Sequence, residues 1–284
     1  MIGVNRHRYY RSIKRKQKNQ LIASQVVAMV KEVRIRMPRL GTKKLYYLLK
    51  GQLKPLGIGR DKLFDILRAN QLLIRPKRQY HVTTDSRHHF RKHKNLIENL
   101  EIKRPEQVLV SDITYLGNRK NPMYLSLVTD AYSKKIMGYN VSQSLDAKGA
   151  TAALKMAIKN RTYRKKELIH HSDRGIQYCC DLYQKALRKK KINCSMTEKY
   201  DPYQNAVAER VNGILKQEFI GHLKIKNLNF MKAVVKDSIK IYNTQRPHFS
   251  NFLLTPQQMH QQSKVKMRIY KKEKTEHQHQ SILS

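Results

Sequence analysis

A chain of 284 residues that is 40% hydrophobic carries enough apolar material for a core, which excludes wholesale disorder. Lys and Arg number 59 against 20 Asp and Glu, a formal charge of +39, so the chain attracts polyanions: nucleic acid first, an anionic membrane surface second. No run of about 18 apolar residues offers a membrane span. The basic stretch Met1–Asn19 lacks the apolar segment of a signal peptide. Three cysteines, with no Cys-x2-Cys pair, argue against a zinc finger or a disulfide framework and fit a reducing cytoplasm.

The N-terminal third is the denser anion attractor: residues 1–104 hold 27 basic and 6 acidic side chains, a net +21, against 32 and 14, a net +18, over residues 105–284. Leu21, Ile22, Val26, Met29, Val30 and Val33 recur at helical spacing. Pro38 and Gly41 punctuate. Leu45, Leu48 and Leu49 mark a second helix closed by Gly51, and a third runs from about Arg60 to Asn70 with Leu63, Ile66 and Leu67 inward. Two short helices joined through glycines, the last carrying Arg60, Lys62 and Arg68, suit a DNA-binding helix-turn-helix over residues 1–74. Residues 75–104 read as a basic linker, in which His88, His89 and His93 lack the company that metal ligands need. Residues 263–284 read as a disordered basic tail.

The segment between them, 105–262, reads as a catalytic core. Strands are expected at 107–116, 123–130 and 135–142, with a turn at Asp130–Ser133, giving an antiparallel meander. A helix capped by Asp146 follows, with Ala152, Ala153, Met156 and Ala157 on one face. Then come a strand at 167–171, a helix from Asp181 to about Lys190, a strand at 192–196 and a helix from near Pro202 to about Phe219. Helical crossovers make the last two strands parallel. The fold class is therefore α/β: a ribonuclease H-like mixed five-stranded sheet with flanking helices, preceded by the all-α region.

Acidic residues are scarce, so those at strand ends stand out. Asp112 lies in the first strand, Asp173 directly follows the fourth, and these two strands are neighbours in the proposed topology. Glu209 lies on the last helix. At about 100° per residue, Val207, Val211, Ile214 and Leu215 form an apolar stripe, while Glu209, Asn205, Asn212 and Lys216 share the opposite, polar face. Three crowded carboxylates repel one another. A pair of Mg²⁺ ions (with Mn²⁺ able to substitute) removes that conflict, and two such ions clamp the attacking and leaving oxygens of a phosphoryl displacement. Lys216 then offers a charge to a DNA phosphate. Asp130 is an alternative third ligand, read here as a structural turn residue.

The segments Ser111–Tyr115, Thr129–Ser133, His170–Tyr178, Ser195–Ala206, Glu209, Lys216–Phe219, Tyr242–His248 and Thr255-Pro256 together resemble the second-reading-frame (OrfB-type) transposases of the "IS-three" family of bacterial insertion sequences, in the retroviral-integrase-like superfamily. The resemblance implies a DDE recombinase with Asp112, Asp173 and Glu209 as metal ligands. It implies that His171, Ser172 and Asn205 shape the site, and that Arg246 and His248 belong to a motif packed near it, with Arg246 reaching DNA. It also implies Mg-dependent cleavage at element ends and 3′-OH transfer into target DNA, self-association on DNA, an upstream-frame OrfA-type partner and a bacterial cytoplasmic, nucleoid-associated location. Two departures stand out: no Trp precedes the first aspartate, where Leu109-Val110 stands, and Gln204 opens the Gln-Asn-Ala triplet where Asp is common. A ribonuclease H-like nuclease without strand transfer, and a helix-turn-helix regulator with an inactive core, are the alternatives.

Overall fold

The computed structural model describes residues 6–74, 90–117, 121–198, 205–223 and 227–261. The first half of the expected basic linker, residues 75–89, and the whole of the tail expected at 263–284 lie outside these residues, as do His88, His89 and Gln204.

Three helices open the chain: α1 (Arg6–Arg36), α2 (Thr42–Leu53) and α3 (Arg60–Ala69). The buried side of α1 is Val26 and Val30, with Ile22, Met29 and Val33 partly covered. Leu21 was expected among them but is 63% exposed, because at 100° per residue it falls about 120° off that stripe. Helix α2 does not stop at Gly51. It continues to Leu53, which is fully buried, so the cost of a solvated mid-helix glycine, about 1 kcal/mol, is offset by burying one more leucine. Leu48, read as inward, is exposed. The α2–α3 connection turns at Gly57, whose φ of 65° is open to glycine.

The core is a five-stranded sheet in the order β3-β2-β1-β4-β5: β1 (Val108–Gly117), β2 (Pro122–Asp130), β3 (Ile136–Ser142), β4 (Ile169–Ser172) and β5 (Asn193–Met196). The first three pair antiparallel, while β4 joins β1, and β5 joins β4, in parallel. This is the ribonuclease H-like topology read from the sequence. Helices cover both faces. On one, α4 (Ala147–Lys159) and α6 (Asp181–Arg188), preceded by the short α5 (Ile176–Cys179), pack with Leu109, Ile113, Val128 and Met137. Asp146 caps α4, accepting from the backbone N–H groups of Lys148 and Gly149. The buried face of α4 is Ala150, Ala153, Leu154 and Ala157, whereas Ala152 and Met156 point outward, a correction of one helical step. Gly138 permits this packing, since a Cβ there would stand 2.1 Å from the Ala153 carbonyl oxygen.

The other face of the sheet carries α7 (Ala206–Ile214), which widens into a π-helical turn over Leu215–Ile220, and α8 (Leu228–Thr244). Met231, Val235, Ile239 and Tyr242 of α8 join Leu215, Phe219, Leu125 and the leucines of α2 and α3 in a single buried cluster. The helical region and the core therefore share apolar packing. They also share a polar clamp. Glu218, in the π turn, accepts two 2.7 Å bonds from the Arg246 guanidinium and one of 3.3 Å from Lys44 of α2, and its backbone oxygen accepts from the Arg39 N–H at 3.2 Å. Burial alone would push the Glu218 carboxyl up; the two cations reverse this and hold it below its ordinary range. Arg246, expected on DNA, is 1% exposed and held inside this clamp, so it has no face to offer a phosphate. Burial and the neighbouring Arg246 push Lys44 down to about 8.

A second buried cluster ties down α9 (Pro256–Gln261). His260 stands 3.3 Å from both Glu106 Oε1 and Asp130 Oδ2, and Arg161 holds Glu106 at 3.1 Å. Asp130 also accepts from the backbone N–H of Glu106 and from Ser133, as its reading as a turn residue requires.

Two stability predictions follow from these clusters. Glu218→Gln leaves a buried guanidinium without its counter-charge and should cost about 3 kcal/mol, read as a lower urea midpoint. For His260, burial lowers the pKa, but the hydrogen bonds to Asp130 and Glu106 raise it to a net increase. A folded pKa above the unfolded one means the stabilisation is complete below the unfolded value, near 6.5, and fades as pH rises through the folded value. His260→Gln should therefore lower the urea midpoint more at pH 6 than at pH 9. An equal loss at both would contradict the clamp.

Candidate active site

The parallel register sets the site. Val110 of β1 lies opposite His171 of β4, so two residues further along each chain come Asp112 and Asp173, on the same face and at the same end of the sheet. That face is the one α7 covers, through Ala208 and Val211. Along α7, Glu209 is exposed in the first turn, Asn212 is 3% exposed and Lys216 is half-buried.

Asn212 Nδ2 donates to Asp112 Oδ2 at 2.7 Å, and the Ile113 N–H donates to Asp112 Oδ1 at 2.9 Å. These bonds favour the ionised carboxylate, yet they lose. Burial, then Asp173, and more weakly Glu209, push the Asp112 carboxyl up to about 7. Glu209 is raised in its turn, by burial and by Asp173. Burial lowers Lys216 and the charge of Asp112 raises it, for a net decrease. Asp173 accepts from the Gly175 N–H at 3.0 Å, which fixes the turn that carries it. The three acids therefore feel one another electrostatically, and the helix face predicted from residue spacing does turn toward them. Among the described residues, no group of three His, Cys, Asp or Glu stands close enough together to hold a metal ion.

A layer of uncharged bonds sits behind the acids. His171 Nδ1 lies 2.8 Å from Ser195 Oγ of β5, tying the two parallel strands. His170 Nε2 lies 2.7 Å from Ser111 Oγ and 2.8 Å from the Tyr183 hydroxyl. Burial, more than the neighbouring His171, drives the His170 ring down to about 3, so it is a neutral partner. Ser172 Oγ donates to the Asp173 carbonyl at 3.0 Å, and Asn205 Nδ2 to the Ser111 carbonyl at 3.1 Å, pinning the start of α7 to β1. His248 is elsewhere: it bonds Ser250, packs edge-on against Tyr242 and is pushed down to about 3 by burial and then by Arg246. It shapes the Glu218 clamp rather than the acid cluster. Arg60, Lys62 and Arg68 are exposed on α3, where Arg60 pairs with Asp61 and Arg68 with Asp65.

Two further side chains belong to this site. Asn212 orients Asp112, and its place three residues after Glu209 on the same helical face is a signal the spacing carries. Tyr178 is buried, and its hydroxyl has no hydrogen-bond partner. Burial, followed by the charges of Asp173 and Asp112, raises it well above its ordinary value. Only the fold reveals that proximity.

The donor set suits a hard divalent cation. Its ligands are carboxylate oxygens that raise one another's pKa, and the amide oxygens of Asn205 and Asn212 are buried without a hydrogen-bond partner.

The description "Integrase core domain" matches residues 102–202, and a second family of the same description matches 190–256. The insertion element IS600 uncharacterized 31 kDa protein of Shigella sonnei is 31% identical over 257 residues, covering 87% of this chain and 92% of that protein. Transposase InsF for insertion sequence IS3A of Escherichia coli (strain K12) is 32% identical over 194 residues, covering 68% and 67%. Among solved structures, the HTLV-2 integrase catalytic core domain in complex with magnesium is 20% identical, with a TM-score of 0.43, over 55% of this chain and 97% of that one. With an integrase core across 102–256 and relatives that include an IS3 transposase, the chain belongs to the IS3 family of insertion-sequence transposases, within the integrase-like superfamily.

Proposed function

We propose that this transposase cuts DNA at the ends of its element and joins the freed 3′-hydroxyl to target DNA at one site, formed by Asp112, Asp173 and Glu209. The observation that carries this reading is the mutual electrostatic strain of those three carboxylates at one end of the sheet. Two Mg²⁺ ions, when bound there, neutralise the scissile phosphate and make a water or a hydroxyl a better nucleophile.

The chain's own residues supply the rest. Asn212 holds Asp112 in place through its Oδ2. Asp173 is held by its turn, and Glu209, on a separate element, closes the set from the helix side. Lys216 places a phosphate beside the carboxylates, where its charge balances theirs. The His171–Ser195 and His170–Ser111–Tyr183 bonds keep β1, β4 and β5 in register, so the two aspartates hold a fixed separation. In both steps an oxygen nucleophile attacks phosphorus in line and a 3′ oxygen leaves with its electron pair, so one geometry serves both. The region 1–74 brings DNA to the core, with Arg60, Lys62 and Arg68 on α3 as contacts. Two ends must meet, so the protein acts as a dimer or larger on DNA, with an upstream-frame OrfA-type product as a possible partner, in the bacterial cytoplasm at the nucleoid. No helix among the described residues is long and apolar enough to cross a membrane.

Asp173→Asn should retain duplex binding and lose Mg²⁺-dependent cleavage and joining by about 1000-fold or more, an effect of the size that a lost transition-state charge contact produces. Supplying a pre-cut end separates the steps: hydrolysis without joining by the unaltered protein would favour a plain nuclease.

The strain gives a second test. A carboxyl whose folded pKa lies above its unfolded value binds its proton more tightly in the fold. Its contribution to stability is present at low pH and lost as pH rises from about 4 to about 7. Metal-free Asp112→Asn should therefore melt on the order of 10 °C higher than the unaltered protein at pH 8 and equally at pH 4. Added Mg²⁺ should stabilise only the unaltered protein.

A further inference from the structure

Helix α1 is 31 residues long, but among the described residues only its second half has anything to pack against. From Arg6 to Leu21 every side chain except Ile13 is exposed. Residues 6–20 thus form an overhang of about 22 Å at 1.5 Å per residue. They carry seven Lys or Arg, at positions 6, 8, 11, 14, 15, 16 and 18, and no acid.

Such a helix is poorly provided for in water. No acidic residue stands in its first turn, where Arg6 and Arg8 oppose the helix dipole. There is no Glu or Asp at i±4 to relieve the repulsion, and an isolated helix this short is marginal. The charges are also not scattered evenly. Counting 100° per residue, Arg8, Arg11, Lys14, Arg15 and Lys18 fall within an arc of about 120°. That arc, centred at about 140°, overlaps the face that downstream buries Ile22, Val26, Met29, Val30 and Val33, centred at about 180°. One side of α1 therefore changes along its length from basic to apolar.

The comparison with α3 sharpens this. Helix α3 presents Arg60, Lys62 and Arg68 but also Asp61 and Asp65, and two of its three cations are already in salt bridges. Its net charge is +1, against +7 on the overhang. An α-helix fits the major groove, and about 22 Å spans roughly six base pairs at 3.4 Å each.

We propose that residues 6–20 of α1 form a DNA-binding element separate from α2–α3, lying along a duplex with the Arg8, Arg11, Lys14, Arg15 and Lys18 face on its phosphates. It supplies most of the helical region's salt-dependent affinity. This rests on the reading that the protein acts on DNA, and it names the surface responsible.

The test uses the full-length chain and a labelled duplex, with the association constant read by fluorescence anisotropy over a range of KCl concentrations. Each phosphate contact contributes about 0.9 to the slope of log K against log salt. Changing Arg8, Arg11, Lys14, Arg15 and Lys18 together to Gln should reduce that slope by about 4, while Arg60, Lys62 and Arg68 to Gln should reduce it by about 1. The five positions are exposed, so an unchanged melting temperature confirms that the variant folds. An unchanged slope in the α1 variant, a larger loss in the α3 variant, or loss of self-association with the DNA slope intact would each overturn the proposal. Absence of any salt-dependent binding by the unaltered chain would instead overturn the reading of the protein as one that acts on DNA, and this proposal with it.

Discussion

The site depends on one backbone constraint, the parallel pairing of β1 with β4. Because Val110 faces His171, the two aspartates that follow them arrive level and on the same side. A slip of one residue would turn Asp173 to the opposite face, under α4 and α6. The neutral bonds of His170 and His171 to serines on the flanking strands guard against that slip. They do so as neutral groups, adding no charge beside the acids. Burial keeps His170 uncharged, so it can serve as glue beside two acids.

The helix bearing Glu209 is fixed differently. Its N-terminal end is held by Asn205 on the Ser111 carbonyl and its middle by Asn212 on Asp112. Past Ile214 the helix loosens to a π turn, and that turn carries Glu218 into contact with Lys44, Arg246 and the Arg39 N–H. A π insertion shifts every later side chain around the axis relative to an α-helix. Lys216 and Glu218 are therefore presented on different sides: one toward Asp112, the other toward the helical region. The segment that continues the helix bearing Glu209 is the same one that anchors α2.

Much of this was legible in the sequence because it rests on local rules. Strand alternation, the Asp146 cap and the crossovers gave five strands in the right order. The polar face of α7, found by arithmetic, placed Lys216 toward Asp112. The misreadings have a common cause. The family resemblance placed Arg246 on DNA, and nothing local discloses that Glu218, 28 residues earlier, buries it. Tyr178 looked like one more residue in a motif, and its coupling to the two acids comes from its burial in the cluster under α4 and α6. Leu21, Ala152 and Met156 were assigned to buried faces because they are apolar, although each lies a helical step from the stripe that is packed. Period predicts that a stripe exists, and long-range contact decides which residues are in it.

Charge was the first property the sequence disclosed, and its distribution is more informative than its sum. Where the chain needs cations for structure, it buries them with a partner, as at Arg161 with Glu106 and Arg246 with Glu218. On α3 it spaces them among acids. On the first turns of α1 it does neither. An unpaired basic surface raises the energy of the free protein through self-repulsion, and that energy is recovered when the surface meets phosphates. The carboxylate cluster has the same logic with the opposite sign: strained alone, relieved by cations. On the proposed reading, in which metal ions and DNA gather in one assembly, the protein is least comfortable when free of both, and each ligand relieves a strain that the fold imposes.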